Sequence, residues 1–186
     1  LLTNLHVTPG MLAAHAIALA SAWSYNAWLK ATPASVVPFI VSFGLFPSLA
    51  TLSAASPVLA APWASTAGAA LGIAVHLTNV LPDLDDDRST GIRGLPHRMG
   101  ARWSAVIASA GIVLGALAVL IGATWAQGGT IPLASWLLFD AVCLVAVWVA
   151  WRAIARPPDR TLFRLAMLAA LLLAVQLMTT PGALRG

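Results

Sequence analysis

Between two long apolar segments of this sequence lies the run Asn79-Val80-Leu81-Pro82-Asp83-Leu84-Asp85-Asp86-Asp87-Arg88. The chain has only six acidic residues, all of them Asp, and four of the six fall within this run. A carboxylate near a membrane is costly unless a cation or strong hydrogen bonds satisfy it. Clustering at the end of an apolar segment therefore predicts a divalent-cation site at one face of a membrane protein.

The composition excludes an ordinary soluble domain. The chain of 186 residues is 60% hydrophobic and only 9% charged, whereas soluble domains carry about 25% charged residues. A net charge of +4 would suggest nucleic acid in a soluble protein. Here the basic residues flank apolar segments, so membrane topology explains them and we expect no nucleic-acid partner. The single Cys143 excludes an internal disulfide.

Six apolar segments are long enough to be membrane spans, since a helix crosses the bilayer in about 20 residues. They cover residues 8–29, 34–52, 66–81, 105–125, 133–151 and 162–179. The predicted fold is an all-α, polytopic transmembrane helical bundle forming one membrane domain over residues 1–186. A polar loop is predicted over residues 82–102, and Pro82 favours a kink or a new helix start there.

The basic residues indicate the orientation. With six spans, nine of the ten basic residues fall on one side, and only Arg185 falls on the other. The nine are Lys30, Arg88, Arg93, Arg98, Arg102, Arg152, Arg156, Arg160 and Arg164. By the positive-inside rule, the Asp-rich loop faces the cytoplasm of a multi-pass protein of the cell membrane.

The spacing of the polar run fits a magnesium site for a diphosphate. Asn79, Asp83 and Asp87 are four residues apart, which places them on one face of a helix. Mg²⁺ typically takes one or two carboxylates, keeps waters and accepts phosphate oxygens. Basic side chains on the same side are expected to hold those oxygens; the candidates are Lys30, Arg88, Arg93 and Arg98.

A second interpretation stays open. From Asp83 to Arg102 the chain carries four Asp and four Arg, so this stretch also fits a self-neutralising, solvated connector without metal. The protein would then be a non-catalytic membrane protein, either transporter-like or a degenerate subunit. The pairs Gly68/Gly72 and Gly111/Gly115 predict close helix packing under both interpretations.

Two motifs resemble the UbiA superfamily of intramembrane prenyltransferases. The first is Asn79-x-x-Pro82-Asp83-x-Asp85-Asp86-Asp87-x-x-x-Gly91-Ile92-Arg93-x-Leu95-Pro96-x-x-x-Gly100, which resembles the family's second Asp-rich motif. The second is Tyr25-Asn26-x-x-Leu29-Lys30-x-Thr32 followed by Pro38-x-x-x-Ser42-x-Gly44-x-x-Pro47, which resembles the segment joining the family's fourth and fifth helices. The resemblance covers essentially the whole chain.

The resemblance implies a nine-helix ring around a central cavity. It also implies an enzyme that moves an isoprenyl group from an isoprenyl diphosphate to an aromatic or other lipid-soluble acceptor, as in quinone biosynthesis, with Mg²⁺ as cofactor. Carried over by position, Asp83 and Asp87 would ligate Mg²⁺, with Asp86 close by and Asn79 orienting them. Lys30, Arg88 and Arg93 would hold diphosphate, and Tyr25 would lie near the reacting carbon.

The sequence departs from the family pattern at one point. No first Asp-rich motif of the family is present, and the six spans correspond to helices four to nine. We therefore expect a chain truncated at its N-terminus that does not catalyse prenyl transfer unaided. The partners expected are isoprenyl diphosphate, the acceptor and membrane lipid.

Four polar residues remain outside these motifs. Asp140 falls within a predicted span, and cavity lining, snorkelling and a helix–helix hydrogen bond are all open for it. Gln176 is expected to link two helices. His76 is expected to be a hydrogen-bonded packing residue, with support of the metal site as the alternative. His97 is expected to lie on a solvated face, with contact to phosphate as the alternative.

Overall fold

The computed structural model describes residues 7–126, 131–157 and 159–179, and all regular secondary structure in those ranges is helical. The α-helices of the described chain are α1 Pro9–Ala27, α2 Val37–Leu52, α3 Pro62–Val80, α4 Leu84–Ser89, α5 Leu95–Ala126, α6 Leu133–Ala155 and α7 Arg160–Met178. Short 3-10 helices occupy Leu29–Ala31, Pro33–Val36 and Leu81–Asp83. The predicted all-α fold is confirmed.

Most of the predicted spans are also found. In the described chain, five helical segments are long and apolar enough to cross a membrane. They are Pro33–Leu52, Pro62–Ser89, Leu95–Gly122, Leu133–Ala155 and Arg160–Met178. The first predicted span, residues 8–29, forms α1 but is not among these five, so its crossing of the membrane stays a prediction. Arg185 lies outside the described residues.

Helix α3 lies at the centre of the bundle. It packs against α2 on one side and α5 on the other, while α1 packs on α2. The chain then continues from α5 to α6 and α7, and α7 returns to contact both α3 and α5. The shared core is formed by small and branched side chains that are at most 1% exposed, among them Ala74, Leu77, Ala105, Ala108, Val142, Val149, Leu162 and Ala169.

Glycines let α3 approach its neighbours closely. A β-carbon at Gly68 would lie 2.2 Å from the carbonyl oxygen of Phe43, and one at Gly72 would lie 2.5 Å from that of Phe39. On the other side, a β-carbon at Gly111 would lie 2.9 Å from the carbonyl oxygen of Ala70. The packing role predicted for both glycine pairs is therefore confirmed, because backbone occupies the space that a side chain would need.

The polar segment after α3 is more helical than the sequence suggested. Pro82 cannot donate a backbone hydrogen bond, and α3 tightens there into the 3-10 helix Leu81–Asp83 before α4 begins. Helix α5 begins at Leu95, ten residues before the predicted span, and breaks at Gly100, which has φ 80° and ψ 165°. The predicted loop 82–102 therefore contains α4 and the first turns of α5. The new start predicted near Pro82 is confirmed.

Candidate functional site

The four clustered carboxylates differ in their surroundings. Asp83 and Asp86 are exposed and make no ion pair or side-chain hydrogen bond with any described residue. Asp85 pairs with Arg88 at 3.2 Å. Asp87 is partly buried, with its Oδ2 atom 3.3 Å from Nε2 of His97. The side of the run nearest the bundle is thus tied to α5, while two carboxylates stay available to a ligand.

A basic cavity lies against this run. It has a volume of about 400 Å³ and is lined by Arg88, Arg93, His97 and Arg98; we call it the arginine cavity. Arg88 donates to the carbonyl oxygen of His97 at 3.4 Å, and Arg98 donates to that of Arg93 at 3.2 Å. These bonds orient the guanidinium groups around the cavity. Guanidinium groups match phosphate oxygens in geometry and charge, so the cavity suits a phosphate-bearing anion.

His97 is buried at this site, contrary to the expectation from sequence. Its side chain is only 3% exposed, so the expectation of a solvated face is wrong. Neither ring nitrogen makes a hydrogen bond with a described residue, and the contact with Asp87 has an ion-pair distance without hydrogen-bond geometry. A buried imidazole without hydrogen bonds is costly unless a ligand or water satisfies it. No local sequence pattern indicates this burial, because a histidine near arginines in the sequence has the low hydropathy that is typical of exposed segments.

Tyr25 packs against aromatic residues of α2 and α3. Its ring meets Phe39 edge-on with centroids 5.2 Å apart, and it meets His76 edge-on at 5.8 Å. The Asp87 carboxylate is close enough to act electrostatically on the Tyr25 hydroxyl. Helix α1 therefore brings the Tyr25 side chain towards the Asp run that α4 carries.

A buried serine, which no sequence motif marks, joins three parts of the site. Ser35 is fully buried; its Oγ atom accepts from the Leu95 backbone N–H at 3.0 Å and lies 3.0 Å from Nε2 of His76. The packing role expected of His76, which is 1% exposed, is thus confirmed. We call the Ser35, His76 and Leu95 contacts the Ser35 bridge. It ties the segment before α2 to α3 and to the start of α5.

The two remaining predicted site residues, Lys30 and Asn79, do not line the arginine cavity. The backbone of Lys30 lies under the loop, since a β-carbon at Gly94 would be 2.5 Å from the Lys30 carbonyl oxygen. The Lys30 side chain is half-buried and does not line the arginine cavity. Asn79 is exposed at the end of α3. A 3-10 helix separates it from α4, so Asn79, Asp83 and Asp87 do not share one continuous α-helix.

The carboxylates do not form a metal cage by themselves. Across the described ranges, no three His, Cys or Asp side chains lie close enough together to hold a metal ion. Their chemistry nevertheless fits Mg²⁺, which prefers oxygen ligands and needs only one or two carboxylates when waters and phosphate oxygens complete its shell. Asp83 and Asp87 are suitable for that role, and the exposed Asp86 is the third candidate.

Two further cavities are lined by residues of α2, and Tyr25 lines one of them. One, of about 290 Å³, has Tyr25, Asn26, Phe39 and Phe43 among its lining residues. The other, of about 310 Å³, is lined by apolar residues of α2, α3 and α7, and Phe43 lines it as well. The two cavities share Phe43 in their linings, and both are mostly apolar.

The other polar residues lie away from this site. The Nε2 atom of Gln176 donates to the carbonyl oxygen of Ser135 at 3.4 Å, so the expected link between two helices is confirmed. Asp140 is exposed on α6, and no described residue pairs with it. Its position supports neither the lining of these cavities nor a helix–helix hydrogen bond.

Comparison with known proteins agrees with these motifs. The chain matched none of the curated proteins and none of the solved structures with which it was compared. The model of the UbiA prenyltransferase family matches residues 1–177, which is nearly the whole sequence. The five membrane-length helices and the Asp-rich segment between α3 and α5 are consistent with that match. The chain therefore belongs to the UbiA prenyltransferase family.

Proposed function

We propose that this protein takes part in Mg²⁺-dependent transfer of an isoprenyl group from an isoprenyl diphosphate to an acceptor within the membrane. The observation that carries the proposal is the contact between the two halves of the site. The Asp run and the arginine cavity meet where Asp87 lies 3.3 Å from His97. Carboxylates for a cation and guanidinium groups for an anion thus stand side by side, as a metal-bound diphosphate requires.

Each group has a distinct role in this proposal. Asp83 and Asp87 would hold Mg²⁺, with Asp86 close by and Asn79 orienting them. The chemistry that bound Mg²⁺ supplies is neutralisation of the charge on the departing diphosphate. Arg88 and Arg93 hold the diphosphate oxygens in the arginine cavity. Lys30, whose side chain does not line that cavity, would add positive charge from the adjoining segment.

The bond changes follow from this placement. The C–O bond between the allylic carbon and the diphosphate breaks, and diphosphate leaves into the arginine cavity with the bonding electrons. A carbon of the acceptor ring forms the new C–C bond to that allylic carbon and then loses its proton to the departed diphosphate. Tyr25 lines the cavity between α1 and α2, so we place the reacting carbon beside it. The prenyl tail would extend past Phe43 into the apolar cavity.

The proposed acceptor is a lipid-soluble aromatic ring of the quinone-precursor type. The walls around Tyr25 support it, because Tyr25, Phe39 and Phe43 present aromatic surface next to the polar Asn26. Aromatic rings pack favourably edge-to-face and offset-stacked against such walls. We also propose that the Asp run faces the cytoplasm, since the basic residues concentrate on its side of the bundle.

The test is binding of geranyl diphosphate to the purified protein in detergent, with Mg²⁺ and with EDTA. We expect Asp83→Asn and Asp87→Asn to remove the part of the affinity that depends on Mg²⁺. Arg93→Gln should weaken binding by roughly 10- to 150-fold, because a hydrogen bond to a charged group contributes about 1.5–3 kcal/mol.

The matched control is Asp85→Asn, from the same run. Asp85 is 95% exposed and pairs only with Arg88 among described residues, so its loss should leave binding intact or slightly tighter. Equal binding with EDTA and with Mg²⁺, or no effect of Asp83→Asn, would contradict the proposal. That outcome would favour the solvated connector of a non-catalytic membrane protein.

A further inference from the structure

A groove between α5 and α6 lies outside the proposed catalytic site. At its mouth is a cavity of about 340 Å³ lined by Arg102, Trp103, Val106 and Ile154. A second cavity of about 410 Å³ follows, and its lining includes Ser109, Ala110, Val113, Ala146, Val147 and Ala150. The two cavities are one helical turn apart on both helices, from Val106 to Ser109 and from Ile154 to Ala150. They therefore form one groove with a basic mouth and an apolar interior.

The groove is long enough to hold an acyl chain that spans one leaflet. Its lining on α5 runs from Arg102 to Leu117, which is about 22 Å at 1.5 Å per residue. One leaflet contributes about 15 Å to the hydrocarbon core. Small side chains form the floor, where Ser109 is 8% exposed and Ala146 is 2% exposed. The rim is open, since Val147 is 66% exposed.

The mouth of the groove carries an uncompensated positive charge. Arg102 is exposed and forms no ion pair or side-chain hydrogen bond with a described residue. Arg152, by contrast, is already paired with Asp159. Trp103 is 64% exposed beside Arg102, and tryptophan favours the level of the lipid headgroups. Arg102 also lies in the first turn after the break at Gly100, where the helix dipole favours an anion.

We propose that this groove binds an anionic glycerophospholipid, with the phosphate at Arg102 and one acyl chain along α5 and α6. The positive charge of Arg102 favours an anionic headgroup, and the apolar interior of the groove favours an acyl chain. No carboxylate lines either cavity, so the groove has no ligands for the metal that an isoprenyl diphosphate would bring. The assignment is independent of the proposed prenyl transfer.

The test is native mass spectrometry of the protein with phosphatidylglycerol and phosphatidylcholine of identical acyl chains. The parent protein should prefer phosphatidylglycerol. Arg102→Gln should weaken phosphatidylglycerol binding about fivefold, the effect of one basic residue at an anionic surface. Arg160→Gln is the matched control, because Arg160 is exposed on the same side of the bundle but does not line the groove.

A second variant tests the apolar part. Ala110 is exposed in the groove, so Ala110→Phe should fill the groove without disturbing the core. The binding of both lipids should then weaken. Ala134→Phe, at an exposed position of α6 outside the groove, is its control. Equal binding of the two lipids by the parent, equal effects of Arg102→Gln and Arg160→Gln, or an Ala110→Phe protein that binds normally would each overturn the proposal. Displacement of phosphatidylglycerol by geranyl diphosphate in EDTA would overturn it as well.

Discussion

Replacing Ser35 with alanine is predicted to destabilise the protein far more than the loss of one hydroxyl usually does. The Ser35 side chain is fully buried and serves two partners, the Leu95 backbone N–H and the His76 ring, each at 3.0 Å. Alanine leaves both without a partner. Each buried polar group that loses its partner costs about 1–3 kcal/mol, so we expect a loss of about 2–6 kcal/mol in the free energy of unfolding.

The assay is reversible unfolding of the protein in mixed micelles by titration with SDS. Ser21→Ala is the matched control, because the Ser21 hydroxyl is only partly buried and makes one bond, to the Pro38 carbonyl oxygen at 3.1 Å. Its loss should cost about 1 kcal/mol.

A double-mutant cycle separates the bridge from general packing. His76→Phe keeps a ring among Tyr25 and Phe39 while removing the nitrogen that faces Ser35. If the Ser35 bridge is real, the two substitutions should be non-additive by about 0.5–3 kcal/mol. Additive effects, or a Ser35→Ala protein as stable as Ser21→Ala, would refute the reasoning.

Two further predictions concern helix packing and pH. Gly68→Ala should destabilise the protein by about 1–3 kcal/mol or more, because the added carbon meets the Phe43 carbonyl oxygen and forces α2 and α3 apart. Asp159 caps α7; burial alone would raise its pKa, but hydrogen bonds from Thr161 and the charge of Arg152 hold the pKa below its ordinary value of 3.8. A lowered pKa means that the charged cap stabilises α7 fully above that ordinary value and is lost as the pH falls through the lowered pKa. Unfolding titrations between pH 6 and pH 2 should therefore show an acid limb that Asp159→Asn reduces.

Each of these two changes has a matched comparison. Gly44→Ala places its new carbon at an ordinary distance of 3.5 Å from Ala69, so it should be tolerated, and a Gly68→Ala protein of equal stability would count against close backbone contact. Asparagine at position 159 keeps the helix-capping oxygen and removes only the charge. An acid limb unchanged in Asp159→Asn would show that other groups cause it.

Hydropathy and residue type predict the elements of this fold but not how they meet at the site. Six apolar segments predict membrane spans, and five of them correspond to the membrane-length helices of the described chain. Pro82 predicts the break between α3 and α4 because proline cannot donate a backbone hydrogen bond. Gly68 and Gly72 likewise predict close helix packing, because glycine has no side chain. These features depend on local chemistry, which a single sequence carries.

The inner part of the site depends on contacts between distant residues. Ser35 meets Leu95 across 60 residues and His76 across 41, and nothing near Ser35 in the sequence indicates either partner. His97 is buried because α5 begins early and turns it towards Asp87. Lys30 shows the reverse outcome, since its backbone reaches the loop while its side chain stays outside the arginine cavity. Tertiary packing decides all three.

The central position of α3 has a consequence for biosynthesis. Chains enter the membrane from the N-terminus onward, and domains assemble as their parts become available. Among the described helices, α3 can meet α2 first and α5 next, and α7, which follows them in the chain, contacts both α3 and α5. During insertion, the flank of α3 that α7 contacts is therefore exposed to lipid until α7 has been synthesised. Ribosome stalling before α7 would leave a set of inserted helices without a finished core.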